Sequence, residues 1–226
     1  MSGTIVVSDL DGTLSTAETW RGLLTWIREH HPSGAARRFV AVRFPLVVVA
    51  KAGLIGKEAF RARWFGELAG LLAGLPEDRL PELAEWVVGD WMWPARRTAV
   101  LELVGRAVAE ARAADPDARF VVATGAYQQI ADAFARRIGA DLALGTPLEL
   151  VNGRLTGRLM SPIQAGAQKA AAVRALAGAG TVATAFGDTE ADIDFLRLAS
   201  RAVAVAPDAP LRREARRAGW EIVEDA

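Results

Sequence analysis

"VVSDLDGTLSTAETW", residues 6–20, sets two carboxylates, Asp9 and Asp11, one residue apart directly behind an apolar run. Glycine and threonine follow at once, and Glu18 stands seven residues beyond Asp11. Packing gives no reason for two like charges where a buried strand ends, because they repel each other and burial penalises both. The arrangement asks for a ligand or a reaction.

Outward from this stretch, the runs "TIVVS" (4–8), "RFVVAT" (119–124), "TVATAFG" (181–187) and "AVAVA" (202–206) are short and almost wholly apolar. They read as buried strands, and helical patterns over 127–138, 166–177, 189–199 and 209–218 alternate with the later ones. The expected class is α/β, with a Rossmann-like, doubly wound parallel sheet covered on both faces. "LELVNGRLTG" (148–157) is different, since alternating apolar residues flank Asn152-Gly153, a strong hairpin signal. Residues 17–92 show no strand pattern. Apolar residues at helical spacing, as in "FRARWFGELAGLL" and "RLPELAEWVV", are punctuated by Pro32, Gly56 and Gly74-Leu75-Pro76. They predict a small helical cap domain at 17–92 inserted into a core domain made of 1–16 and 93–226. Of the 7 tryptophans, Trp20, Trp26, Trp64, Trp86, Trp91 and Trp93 lie in or beside this block, as expected of the packing of a small bundle.

With 226 residues, 51% of them hydrophobic and 24% charged, the chain suits one sizeable domain or one domain carrying an insertion. Its 27 basic and 27 acidic residues cancel, and no basic stripe interleaved with aromatics suggests a nucleic-acid partner. The absence of cysteine excludes disulfides, thiolate zinc sites and cysteine nucleophiles. The two histidines, His30 and His31, sit side by side before Pro32 and read as an exposed helix end rather than a triad or metal cage. The N-terminus enters a strand with no charged lead, apolar core or cleavage site, so a cytoplasmic protein is expected. The greasiest segment, "FVAVRFPLVVVAKAGLIG" (39–56), is broken by Arg43, Pro45 and Lys51. It falls short of the roughly 18 uncharged residues of a membrane span. It reads as a buried helix or an apolar lining, with membrane-surface contact the lesser alternative.

Ligands of open parallel sheets bind beyond the carboxyl ends of the strands. Asp9 and Asp11 follow the first strand there. Thr124 ends another and is followed by Gly125, and Asp188 ends a third, with Asp192 four residues on in "GDTEADIDFL". Such a cluster of acids is tolerable around a divalent cation, and hard oxygen ligands without histidine favour magnesium. Lys169, in "AGAQKAAAV", is one of three lysines in a chain with 24 arginines. A compact ammonium near a helix start suits contact with phosphate or carboxylate as a point charge.

Asp-Leu-Asp-Gly-Thr at 9–13, Thr124 after a strand, Lys169 near a helix start and Gly-Asp-x-x-x-Asp at 187–192, in that order, resemble the haloacid dehalogenase superfamily of phosphohydrolases. The resemblance covers nearly the whole chain and is closest to the branch that includes phosphoserine phosphatases, whose helical cap is inserted just after the first motif. It implies a small phosphorylated substrate and Asp9 as a nucleophile forming an aspartyl-phosphate, with Asp11 as general acid and base. It implies Mg²⁺ held by Asp9, the backbone carbonyl of Asp11 and Asp188, with Asp192 acting through water. Thr124, Lys169 and backbone amides near Gly12 and Gly125 would hold the phosphoryl oxygens. Glu18 and Thr19 match the pattern in which a glutamate reads a substrate ammonium, and Arg61 and Arg63 are candidates for reading a carboxylate. The chain departs from that branch in having Thr-Gly-Ala at 124–126 where Ser-Gly-Gly is typical, and Ala191 where asparagine is common.

Other readings use some of the same residues. A phosphomutase needs the same set, and the 39–56 segment would suit a lipid-like or other apolar phosphate. A receiver-type signalling module has its acidic pair, phosphoacceptor, hydroxyl and lysine in that order in a much shorter chain. Here an acid, Asp188, follows the lysine, which argues against that module.

Overall fold

Val6 and Val7 are neighbours in one strand, and each is buried in a different apolar cluster. Successive side chains of a strand point to opposite faces, so both faces of this strand are covered. The same alternation separates Phe120 and Val122 from Val121 and Ala123. The computed structural model describes residues 3–31, 39 and 57–224. Its main strands are β1 (Ile5–Ser8), β2 (Arg119–Tyr127), β3 (Leu142–Thr146), β6 (Val182–Gly187), β7 (Ala199–Val205) and β8 (Glu221–Val223). They form one sheet in the order β3-β2-β1-β6-β7-β8, with every neighbouring pair parallel. The four expected strands occupy its centre.

The edge strands β3 and β8 are additions to the sequence reading. β3 is partly exposed, contains Gly145 and runs into Pro147, while β8 has only three residues, none of them buried. Neither carries the continuous apolar run of a fully covered strand. The expected hairpin is present as β4 (Leu148–Val151) and β5 (Arg154–Leu159), an antiparallel pair separate from the main sheet. Asn152 and Gly153 turn it with φ of 51° and 71°, the left-handed geometry that a two-residue type I′ turn needs.

The helices are α1 (Thr19–His30), α2 (Lys57–Gly70), α3 (Leu80–Trp86), α4 (Thr98–Ala114), α5 (Gln128–Ile138), α6 (Ala167–Ala177), α7 (Ile193–Leu196) and α8 (Ala209–Ala218). The helix expected over 189–199 is shorter: a 3₁₀ turn at Glu190–Asp192 leads into the four residues of α7. Among the described residues no strand lies between β1 and β2. That interval holds α1 to α4 and a π-helical turn at Val87–Met92. The segment 39–56, expected as a buried helix or lining, lies outside the described residues except Phe39, whose ring is 5.0 Å from that of Trp64.

One apolar cluster joins Val6, Phe120 and Val122 of the sheet to Leu68, Leu83 and Val88 of the helical block. Polar links run the same way. The buried Tyr127 hydroxyl donates to the Phe65 carbonyl at 2.7 Å. The hairpin is tied to the turn after α2, where Gly74 N–H donates to the Leu155 carbonyl at 2.8 Å and Leu155 N–H to that of Leu75 at 2.9 Å. Among the described residues no helix is long and apolar enough to cross a membrane.

Candidate active site

Strand register brings the sequence motifs to one edge. Ser8, the last residue of β1, pairs with Val122 on one side and Phe186 on the other. Asp9 is therefore the first residue past β1, and Thr124 within β2 and Asp188 just after β6 each lie two residues beyond those partners of Ser8. One carboxylate oxygen from each of Asp9, Asp188 and Asp192 lies within 4.8 Å of the others.

Lys169, in the first turn of α6, enters this cluster from below the surface, with its side chain only 4% exposed. Its ammonium donates to Asp9 Oδ1 at 2.5 Å and to Asp192 Oδ1 at 2.8 Å. Asp192 Oδ2 accepts the N–H groups of Asp188 (3.2 Å) and Thr189 (3.0 Å) and the Thr189 hydroxyl (3.2 Å). Both oxygens of Asp192 are thus committed to holding Lys169 and the turn after β6. Asp9 and Asp188 keep more of their coordinating capacity.

Electrostatics follow from that geometry. Burial pushes the Asp9 carboxyl up to about 6 against the pull of Lys169, and Asp192 adds repulsion. Burial, then repulsion from Asp9 and Asp192, raises Asp188 well above the ordinary carboxylate range. Burial acts on Asp192 too, but Lys169 and the two backbone N–H groups outweigh it and hold that carboxyl below its usual value. Burial opposes the charge on Lys169, yet Asp192 and Asp9 overcome it and raise its pKa. Three carboxylates around one ammonium leave an excess of negative charge. A hard divalent cation would offset it, and the oxygen-only donors of Asp9 and Asp188 fit magnesium.

Asp11 faces elsewhere. Its Oδ1 accepts the Thr19 N–H at 3.0 Å and its Oδ2 the Thr19 hydroxyl at 2.7 Å, so the first residue of α1 orients it. Burial raises it to about 7, helped by the Asp9 and Glu18 carboxylates and opposed by the bonds to Thr19. The loop between the two aspartates and α1 is tight. Gly12 has φ of 88°, and a Cβ there would stand 2.0 Å from Asp188 Oδ2, so glycine is required by conformation and by space.

Thr124 is buried, and its hydroxyl oxygen accepts Ala126 N–H at 3.1 Å, which leaves the hydroxyl proton for another acceptor. The Gly125 carbonyl accepts the Thr146 hydroxyl at 3.0 Å. A Cβ at Gly125 would meet Ile163 at an ordinary 3.4 Å, so space does not demand glycine there. Glu18 caps α1 and binds Arg21 one turn on, Oε2 to Nε at 2.5 Å. Arg63 is exposed and pairs with Glu67 of its own helix at 2.9 Å, while the side chain of Arg61 lies outside the described residues.

Two supporting residues were not singled out from sequence. The Thr13 hydroxyl donates to Asp188 Oδ1 at 3.2 Å, bridging the first and last motifs. Arg97 donates from Nε to the Gly12 carbonyl at 3.1 Å and from its backbone to the Leu14 carbonyl at 2.8 Å. Thr13 stands within the quoted motif and was open to discovery there. Arg97 is one of many arginines, and nothing local marks it.

An acid cluster thus stands at the carboxyl edge of a doubly wound sheet, with a lysine buried between two of its members. Residues 6–197 match the haloacid dehalogenase-like hydrolases, and the chain belongs to that family. Over 98 residues it is 46% identical to the Mycobacterium tuberculosis protein called phosphoserine phosphatase SerB1, covering 42% of this chain and 32% of that one. Over 209 residues it is 31% identical to a phosphoserine phosphatase of Halobacterium salinarum, covering 90% and 86%. A solved structure from Bordetella pertussis, of unknown function, superposes with a TM-score of 0.79 at 20% identity over 100% of both chains and shares the fold. The chain spans about a third of the length of three mycobacterial relatives it matches and 46% of a fourth.

Proposed function

We propose that the chain hydrolyses small phosphate monoesters in two steps, through a phosphoryl group carried on Asp9. The observation that carries this reading is the buried Asp9–Lys169–Asp192 chain, at 2.5 and 2.8 Å, beside an Asp11 oriented separately by Thr19. Lys169 fixes the Asp9 carboxylate and keeps it ionised, leaving Oδ2 to attack phosphorus in line. Asp11 gives a proton to the departing alkoxide, then takes one from the water that hydrolyses the acyl phosphate. Thr124, through its free hydroxyl proton, and Lys169 face the transferred oxygens, with backbone N–H groups of the 10–13 and 125–126 loops as further donors. Magnesium, held by Asp9, Asp188 and the Asp11 carbonyl with Asp192 behind them, would neutralise charge as an anionic phosphate approaches. Residues 17–92 serve as the cap over a core of 1–16 and 93–226, which the absence of any strand between β1 and β2 among the described residues supports.

The substrate class we favour is phosphoserine or a related amine phosphate. Its support is Glu18, adjacent to the Thr19 that holds Asp11, together with the names of the relatives. The test is phosphate release from an aryl phosphate and from phosphorylated amino acids, sugars, nucleotides and lipid head groups. We expect turnover with magnesium, loss in chelator and no rescue by calcium, whose longer, looser coordination misplaces the reacting groups. Full activity in chelator would overturn the metal assignment, and no release from any monoester would overturn the phosphatase reading.

A further inference from the structure

We infer that Thr146, the last residue of β3, is a positioning residue that aims the Thr124 hydroxyl at the phosphoryl group. This rests on the phosphatase reading above and adds a residue that lies outside its motifs. The starting point is an irregularity in the sheet. Ala123 of β2 pairs with Leu144 of β3, but the next pair is Tyr127 with Thr146. Thr124, Gly125 and Ala126 therefore stand opposite Gly145 alone. A bulge takes backbone groups out of the ladder and re-aims the side chains it carries. Here it carries Thr124.

Two threonines meet the groups so displaced. The Thr146 hydroxyl donates to the Gly125 carbonyl at 3.0 Å, and the Ala126 N–H donates to the Thr124 hydroxyl oxygen at 3.1 Å. That carbonyl and that N–H are the two ends of one peptide unit, so the bonds act on each other through it. Upstream, the Gln164 N–H donates to the Thr146 oxygen at 3.1 Å. All three bonds run in one direction, from Gln164 to Thr146, to the Gly125–Ala126 peptide, to Thr124. The Thr124 proton is the free end of the relay. Aligned bonds polarise one another, and both hydroxyls are buried, Thr146 at 0% exposure and Thr124 at 1%.

The neighbouring residues bring Thr146 to the bulge. A Cβ at Gly145 would stand 2.7 Å from the Gln128 Cα, and Gly145 N–H donates to Gln128 Oε1 at 2.7 Å. Glycine there lets the end of β3 close on the loop and deliver the next residue to it. On the other side, Gln164 stands five residues before Lys169, in the segment that leads into α6. Thr146 thereby ties the loop bearing Thr124 to the approach to Lys169, the two groups assigned to the phosphoryl oxygens. Without its hydroxyl, the Gly125 carbonyl and the Gln164 N–H lose their partner, and the Gly125–Ala126 peptide is no longer held against Thr124.

The experiment measures kcat and KM on an aryl phosphate with magnesium for wild type, Thr146→Val, Thr146→Ala and Thr146→Ser. Each is made with Thr124 intact and with Thr124→Val, and inorganic phosphate is titrated onto Asp9→Asn chains carrying the same changes. Thr146→Val and Thr146→Ala should each lower kcat by about 3- to 10-fold, the scale of one net hydrogen bond. Thr146→Ser keeps the hydroxyl and should stay close to wild type. With Thr124→Val, the same changes should leave kcat unaltered, because the group through which they act is gone. Phosphate affinity should follow the same pattern. A packing role alone gives equal losses in both backgrounds, and that result overturns the inference. So does a Thr146→Ser chain as impaired as Thr146→Val. A wild type inert toward every monoester would instead overturn the phosphatase reading, and the titration would then decide for Thr146. Phosphate bound no tighter with Thr146 than with Thr146→Val overturns the inference on its own.

Discussion

Asp9→Asn is expected to lower kcat on every phosphate monoester by on the order of 10⁴-fold or more, the scale on which loss of a nucleophile is felt. An amide does not form the acyl phosphate, and its neutral group no longer draws Lys169 toward the phosphoryl position. The fold should survive. Asp9 is one of three carboxylates around a single ammonium, and Lys169 keeps its bond to Asp192. Thermal melting should therefore change little while activity is lost. Turnover within tenfold of wild type would remove Asp9 from the chemistry.

Lys169→Met should cost both activity and stability. The side chains of Lys169, Asp9 and Asp192 are 4%, 7% and 2% exposed, so the ammonium is the internal countercharge for two buried carboxylates. Removing one partner of a buried ion pair costs about 3–5 kcal/mol, because the other charge stays buried and uncompensated. In a chain of this length that is a fall in melting temperature of roughly 6–20 °C. Adding Asp192→Asn to Lys169→Met should recover part of the loss, since one stranded charge is then gone. Additive destabilisation by the two changes would contradict the coupling.

The centre of the fold was legible because its strands are buried on both faces and therefore spell continuous apolar runs. The edge strands were not, since β3 and β8 are short and half covered and their sequence gives no such run. Asp9, Asp11, Thr124, Lys169, Asp188 and Asp192 were readable from their places at strand ends and near a helix start. Their hydrogen-bond partners were not. Only the structure places Asp192 with both oxygens occupied while Asp11 turns away onto α1. The same holds for Arg97 on the Gly12 carbonyl, a contact across 85 residues that no local pattern encodes. The expected 189–199 helix was curtailed for a related reason. Asp192 folds back onto Asp188 and Thr189, which sets a 3₁₀ turn before the chain can run as a helix.

The most direct measurement of the chemistry is the fate of the phosphoryl group in Asp11→Asn turning over an aryl phosphate. That leaving group needs little protonation, so the first transfer proceeds while hydrolysis of the acyl phosphate, deprived of its base, stalls. Quenching in acid, reducing with borohydride and mapping peptides by mass spectrometry should convert Asp9, and no other residue, to homoserine. Phosphorylation at any other side chain, or continued turnover with no modified Asp9, would contradict a phosphoryl intermediate on this residue.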